Sequence, residues 1–330
     1  EYVYHLPGNE KIDEKIKMQN DKIATVARAI TLLDRSRIVS VGYLFGGMSL
    51  GDIDITKMRT RFGPELVEID SYTLIRKMEE LDKGSPEYSK GLEFVKRHLF
   101  APIGEKIEGI TRMYVILRQF VDEYKARAIT VKCNFELSQE YGLTACVPLS
   151  VLGNTVVASC EADIPLLLTQ LVMHYLSGGK ITTYADIHEI TDDNKVLIAA
   201  CGFAPSDMCI GNTSGSMNLL APSRGLGATF KDYITNKNYL KKGKVTFGRF
   251  LKENDGGFTL HFTTGNAVGD VGIVSELDTP QYPFTEIKID AEIDKFAQNL
   301  GSHHYAIIYS DISEELELFC KFKEFKLIHD

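Results

Sequence analysis

No stretch of the sequence approaches the ~20 consecutive apolar residues that cross a bilayer as a helix, so a helical membrane protein is not expected. A basic excess is also missing. The 330 residues carry 37 Lys and Arg against 45 Asp and Glu, a net charge of −8, which excludes the positive face that a phosphate-backbone binder requires and disfavours anionic membrane surfaces. CxxC pairs are absent. The six cysteines (133, 146, 160, 201, 209 and 320) are scattered, several in apolar runs such as Val156–Cys160, as expected of reduced thiols in the cytoplasm. The opening residues, Glu1-Tyr2-Val3-Tyr4-His5, have neither the basic region nor the apolar run of a signal peptide, nor a Met, and a start inside a longer chain is expected. Gly42–Gly47 does not match the dinucleotide fingerprint G-x-G-x-x-G, and no G-x-S-x-G elbow is present. Nucleotide binding and a serine-hydrolase triad therefore lack support. There is no internal repeat.

What is present is an ordinary globular composition, 44% hydrophobic and 25% charged. The length suggests two domains or one large one. Residues 10–34 are periodic, with Ile12, Ile16, Ile23, Val26, Ala27, Ile30 and Leu33 on one stripe, which predicts an amphipathic helix. Strand patterns at 36–42, 65–70, 128–133, 155–160 and 195–200 alternate with helical patterns at 53–62, 72–82, 103–127 and 165–177. That alternation predicts a Rossmann-like parallel sheet with helices on its faces, assigned to residues 1–209. After about residue 210, Gly-rich β-like segments at 244–251, 257–262, 269–275 and 285–289 predict a mostly antiparallel, barrel-like C-terminal domain over 210–330. The tail reads strand (305–309), helix (313–320) and short strand (325–328).

Ligands of open α/β sheets bind beyond the carboxyl ends of the strands. If the strands are parallel, Glu136, Glu161 and Asp163 converge on one edge, where carboxylates can hold a hard divalent cation or act as acid and base. Asp163 stands two residues before Pro165 and can equally cap the following helix. His303-His304 precede an apolar strand, and neighbours in an extended chain point to opposite sides, so at most one of them faces a given site. His174 reads as a core histidine and His188 as a loop residue.

Several blocks in order give the chain its resemblance to a known family. They are Ser36–Gly42 with Phe62–Asp70, Lys132–Glu136 with Tyr141-Gly142, Ala158–Ile164, Tyr184–Asp186, Cys201–Pro205 and Ser302–Ala306. Together they resemble the L-fucose/L-arabinose isomerase superfamily over nearly the whole chain, closest to its fucose-isomerase-like branch. The resemblance implies metal ligation by Glu136, Asp163 and His304, with Glu140 and His303 as alternatives to the first and third. It places the carboxylates in the first domain and the histidine in the second. It further implies an extra N-terminal domain in relatives and a homo-oligomer, a trimer or hexamer. The chain departs from the pattern at Ala200, where many relatives carry histidine, and at Ile190, near the fourth ligand of the arabinose type.

The implied chemistry is aldose–ketose isomerisation of an open-chain monosaccharide that is L-fucose-, L-arabinose- or D-arabinose-like. Manganese is the expected ion, or another divalent cation such as magnesium or cobalt. It would stabilise an enediolate while Glu136 and Asp163 move the proton. A sugar-binding or regulatory relative, or a metal-dependent epimerase or lyase, are the alternatives.

Overall fold

The computed structural model describes residues 10–44, 48–98, 104–200, 202–210, 219–220, 233–234, 238–269 and 284–330. The strand expected at 269–275 lies outside these residues from 270 onward, as do Cys201 and residues 45–47 of the Gly-rich loop.

The chain opens with α1 (Glu10–Asp34), which buries Val26, Ala29 and Leu33 but leaves Ile16 and Ile23 of the expected stripe exposed. There follow β1 (Arg37–Val41), α2 (Ile55–Arg61), β2 (Glu65–Ile69), α3 (Ser71–Glu80), α4 (Pro86–His98), α5 (Lys106–Tyr124), β3 (Ala128–Val131), α6 (Cys146–Leu152), β4 (Val157–Cys160) and α7 (Ile164–Leu176). The four strands pair in parallel in the order β2-β1-β3-β4. β3 and β4 are buried at every position, as strands covered on both faces are. All carboxyl ends lie on one edge, so the loops after β3 and β4 are neighbours.

Next come β5 (Thr182–Thr191), β6 (Lys195–Ala199), the short pair β7 (Leu219–Leu220) and β8 (Tyr233–Ile234), then β9 (Gly243–Lys252), β10 (Phe258–Ala267), β11 (Phe284–Ile289), α8 (Ile293–Gln298), β12 (His304–Ile308), α9 (Ser313–Lys323) and β13 (Lys326–His329). Six of these strands run antiparallel in the order β11-β6-β5-β12-β9-β10, and β10 pairs back onto β11 to close a barrel. β13 adds to β10 in parallel. The expected α/β architecture of a parallel sheet followed by an antiparallel barrel is therefore present.

One strand is corrected. Residues 195–200, read from their apolar run as a fifth parallel strand, form β6 and pair antiparallel with β5 in the barrel. The change from parallel to antiparallel pairing falls between Leu176 and Thr182. β5 escapes a hydrophobic-pattern reading because Asp186, His188 and Glu189 interrupt its apolar residues.

Two cores result. Val196, Ile198, Val245, Phe247, Ile287, Tyr305 and Ile307 fill the barrel. The second core spans the parallel sheet, its helices and part of the barrel wall, including Phe250, Phe262, Ala306 and Ile308. α7 lies at the centre of this second core, touching β3 and β4 as well as β5, β9 and β12. It is apolar around nearly its whole circumference, which suits a helix buried on all sides. The described cysteines, Cys133, Cys146, Cys160, Cys209 and Cys320, are all buried. No helix among the described residues is long and apolar enough to cross a membrane.

Candidate functional site

The carboxyl edge of the parallel sheet meets the barrel at α7, and charged side chains from both sides converge there. His304 opens β12, directly opposite Asp186 of β5 in the antiparallel register. Its Nε2 lies 3.1 Å from Asp186 Oδ1 and 3.6 Å from Glu161 Oε2. Glu161 is the first residue beyond β4 and arrives from the parallel sheet, where its amide donates to the Val131 carbonyl. Its backbone is left-handed, φ +66°, and so is that of Ala162, φ +56°. Phe135, in the loop four residues beyond β3, is a third such residue, φ +67°. Left-handed backbone at non-glycine residues persists where the surroundings enforce it, and such strain concentrates at functional sites.

Asp163 approaches His304 from the other side. Its Oδ2 accepts from His304 Nδ1 at 3.0 Å and from Arg249 Nη1 at 2.8 Å. Its Oδ1 accepts from Arg249 Nη2 at 3.0 Å and from the Leu166 amide at 3.0 Å. The last of these is the expected helix cap, so Asp163 starts α7 and also binds two side chains of the barrel. Burial alone would push this carboxyl up. The Arg249 charge and the His304 contact outweigh burial and hold it far below the usual carboxylate range. Arg249, on β9, is itself buried and donates further to the carbonyls of His304 and Leu50.

Burial opposes protonation of His304, but Asp186, Asp163 and Glu161 prevail and raise its pKa well above the ordinary value. His303, next to it, is more exposed, and burial with the neighbouring His304 charge lowers its pKa. The two imidazoles lie with centroids 4.2 Å apart. Behind them the buried Tyr184 sets its ring 5.3 Å from that of His304.

Asp186, His303 and His304 form the one group of three His, Cys, Asp or Glu side chains among the described residues whose ligand atoms all lie within 4.8 Å of one another. Asp186 Oδ1 is a buried oxygen that no well-formed hydrogen bond satisfies. Glu161, Asp186 and Asp163 bring three carboxylates to His304, with the Arg249 guanidinium on Asp163, so the cluster is net negative whether or not His304 carries a proton on both nitrogens. Carboxylate oxygens and imidazole nitrogens carrying that charge suit one divalent cation.

Of the residues read from the sequence as a ligand set, the structure brings Asp163 and His304 into contact. Glu136 sits elsewhere in the contact pattern. Its Oε1 accepts from Lys132 Nζ at 2.7 Å, and Glu136–Glu140 form a wide π-type turn. Asp186 and Arg249 carry no separate signal in the sequence. Asp186 lies in one of the resembling blocks, and Arg249 in a strand that also carries Lys244 and Lys252. His188 is an exposed residue on β5 beside a bulge rather than a loop residue. His174, expected in the core, is half-buried at the end of α7, its Nδ1 2.8 Å from the Lys180 carbonyl oxygen.

No family model matches the chain. It is similar to the sulfoquinovose isomerase of Alkalicoccus urumqiensis, 23% identical over 288 residues that cover 83% of this chain and 59% of that protein. It is also similar to the sulfoquinovose isomerases of Priestia aryabhattai and Priestia megaterium, each 22% identical over 328 residues that cover 96% of this chain and 68% of theirs. The chain thus spans about three-fifths of the length of the Alkalicoccus relative. These distant relatives share the name of a sugar isomerase, in keeping with the isomerase-like blocks of the sequence.

Proposed function

We propose that this chain carries the active centre of a metal-dependent aldose–ketose isomerase, with the divalent cation held by Glu161, Asp186 and His304 and with His303 at its margin. The observation that carries the reading is the meeting of His304 Nε2 with two carboxylates from different sheets, at 3.1 and 3.6 Å, on the carboxyl edge of the parallel sheet. Glu161, Asp186 and His304 would hold the ion, and a divalent ion bound there would supply Lewis acidity toward the sugar's oxygens.

The side chains do the remainder. Glu161 and Asp186 accept the proton leaving C2 and return one at C1, while the O2 hydroxyl proton passes to O1 so that the carbonyl moves from C1 to C2; a carboxylate beside the reacting carbon can serve as base and then as acid. Asp163 has no part in that transfer, because four hydrogen bonds already fill its two oxygens. Tyr184 and Phe203, stacked at 5.7 Å, close the apolar side of the site around His304. The names of the relatives make sulfoquinovose one sugar to test, beside pentoses, 6-deoxyhexoses and hexoses.

The test is titration of the metal-free chain with Mn²⁺, followed by the sugar panel in deuterated water. One bound ion per chain, and a ketose product with solvent deuterium on the carbon that gained hydrogen, are expected. An ion-free protein that converts none of the sugars would sink the proposal.

A further inference from the structure

The arrangement around Asp163 has a chemical consequence for His304. An imidazole can give a lone pair at Nε2 only if its remaining proton sits on Nδ1. Both oxygens of Asp163 already accept, Oδ2 from Arg249 Nη1 and Oδ1 from Arg249 Nη2 and the Leu166 amide, so the group presents an acceptor to Nδ1 at 3.0 Å and Nδ1 carries the proton. Arg249 makes this arrangement rigid. Its two nitrogens grip both oxygens of Asp163, at 2.8 and 3.0 Å, and both side chains are buried. The Leu166 amide fixes the same carboxylate from below as the helix cap. Three elements therefore set the ring of His304: α7 through its cap, β9 through Arg249, and β12 through its own backbone.

We propose that Asp163 and Arg249 are the positioning pair of this site: they hold His304 as the Nδ1–H tautomer with Nε2 turned toward Glu161 and Asp186, and Asp163 is not itself a ligand of the cation. This inference rests on the metal-site reading above and deepens it. It differs from the sequence resemblance, which gives Asp163 a place in the ligand set. Groups that orient metal-bound histidines typically change metal affinity 10–100-fold when removed, whereas loss of a ligand removes the site.

The experiment compares Asp163→Asn with Glu161→Gln. Asparagine is as good a helix cap as aspartate, so α7 keeps its start. Its amide offers one acceptor atom where three side-chain donor contacts, two from Arg249 and one from His304, need two. Mn²⁺ affinity is read by calorimetry, coordination by the visible spectrum of the Co²⁺ form, and the Nδ1 proton by its far-downfield NMR signal in the metal-free protein.

For Asp163→Asn the expected result is Mn²⁺ binding weakened about 10–100-fold at an unchanged one ion per chain. The Co²⁺ spectrum should be retained and the downfield proton lost. Glu161→Gln should keep that proton and bind no ion in the same range. Two results overturn the inference. One is loss of the ion in Asp163→Asn with retention in Glu161→Gln, which would make Asp163 a ligand. The other is unchanged affinity and an unchanged proton signal in Asp163→Asn, which would leave Asp163 a helix cap alone. Absence of any ion in the wild type would end the metal reading and this inference with it, and that result is visible before any variant is made. If Asp163→Asn fails to fold, Arg249→Lys keeps the charge but loses the two-pronged grip. It should weaken Mn²⁺ and shift the proton signal, and no change in either reading overturns the proposal.

Discussion

Arg249 and Asp163 meet in a two-pronged pair, Nη1 to Oδ2 at 2.8 Å and Nη2 to Oδ1 at 3.0 Å, with both side chains withdrawn from solvent. The pair joins β9 of the barrel to the first turn of α7, and so ties the two sheets together where the candidate site lies. Removing one partner of such a pair leaves a buried charge without its counterpart, which costs about 3–5 kcal/mol. Arg249→Met should therefore lower the urea midpoint strongly. The double variant Asp163→Asn/Arg249→Met should recover part of that loss, because neither charge remains and the helix cap is kept. A double variant less stable than the single one would show that the pair is not the source of the cost.

Asp186→Asn removes one negative charge from the cluster and leaves the β5–β12 register intact. Divalent-cation affinity should fall by at least about 100-fold, since the buried Asp186 Oδ1 is 3.1 Å from His304 Nε2 and lacks a well-formed hydrogen bond. Far-UV circular dichroism should not change. Wild-type metal content in the purified variant would remove Asp186 from the ligand set.

The elements that the sequence announces clearly are those with one physical demand on them. α5 shows apolar periodicity, α7 is an apolar run between Pro165 and Gly178-Gly179, and the central parallel strands are short apolar runs. β5 is harder to read because it serves two purposes. Its first half packs in the wall while Asp186 faces His304, so charge breaks the pattern that marks a strand. β6 is an apolar run that fits a parallel strand or a barrel strand equally well, and pairing partners are not written in a run's own composition. The site was legible to the same degree. The carboxyl-edge rule points to Glu136, Glu161 and Asp163, of which the last two reach His304, and the histidine pair stands out in the tail. Which of two carboxylates two residues apart meets Nδ1 and which meets Nε2 depends on the left-handed turn at Glu161 and Ala162, which composition does not encode.

That turn gives a prediction of its own. Ala162 is buried and held at φ +56°, a conformation that costs an L-residue about 1–2 kcal/mol. Glycine adopts it without strain but loses about 0.5–1 kcal/mol through the greater freedom of the unfolded chain. Ala162→Gly should raise stability by up to about 1 kcal/mol, read from the denaturant midpoint at constant slope. A loss greater than about 1 kcal/mol would mean that the methyl group packs more than the backbone strains.

His261 lies in the barrel wall, fully buried, between the Tyr305 hydroxyl and the Asp330 carboxylate, with Lys295 on the same carboxylate. Burial lowers its pKa below the ordinary 6.5, although Asp330 pulls the other way. The unfolded chain then takes up a proton at a pH where the folded one does not. The stability tied to His261 is therefore complete above about pH 6.5 and declines as the pH falls from there toward the lowered folded value. Unfolding midpoints measured from pH 8 to pH 5 should fall, and in His261→Gln the part of that slope below about 6.5 should flatten. An identical slope in both proteins would assign the acid sensitivity to other groups.

Phe62, which ends α2, inserts its ring among Phe250 of β9, Phe258 of β10 and Phe325 ahead of β13, at centroid distances of 4.9, 4.9 and 4.7 Å. This cluster is an apolar joint between the parallel-sheet side and the barrel, and Phe62 is fully buried in it. Truncating a buried Phe to Ala costs about 3–5 kcal/mol through lost transfer energy and the cavity left behind. The site adds a second consequence. Glu161 comes from the sheet and Asp186 and His304 from the barrel, so their meeting depends on how firmly the two sides are joined. Phe62→Leu should fill more of the space and cost less than Phe62→Ala. Both should weaken divalent-cation binding in proportion to the stability lost, although the ring touches none of the three side chains. Equal affinity in the wild type and Phe62→Ala, at temperatures where each is folded, would show that Arg249 and Asp163 hold the two sheets in register without help from the aromatic joint.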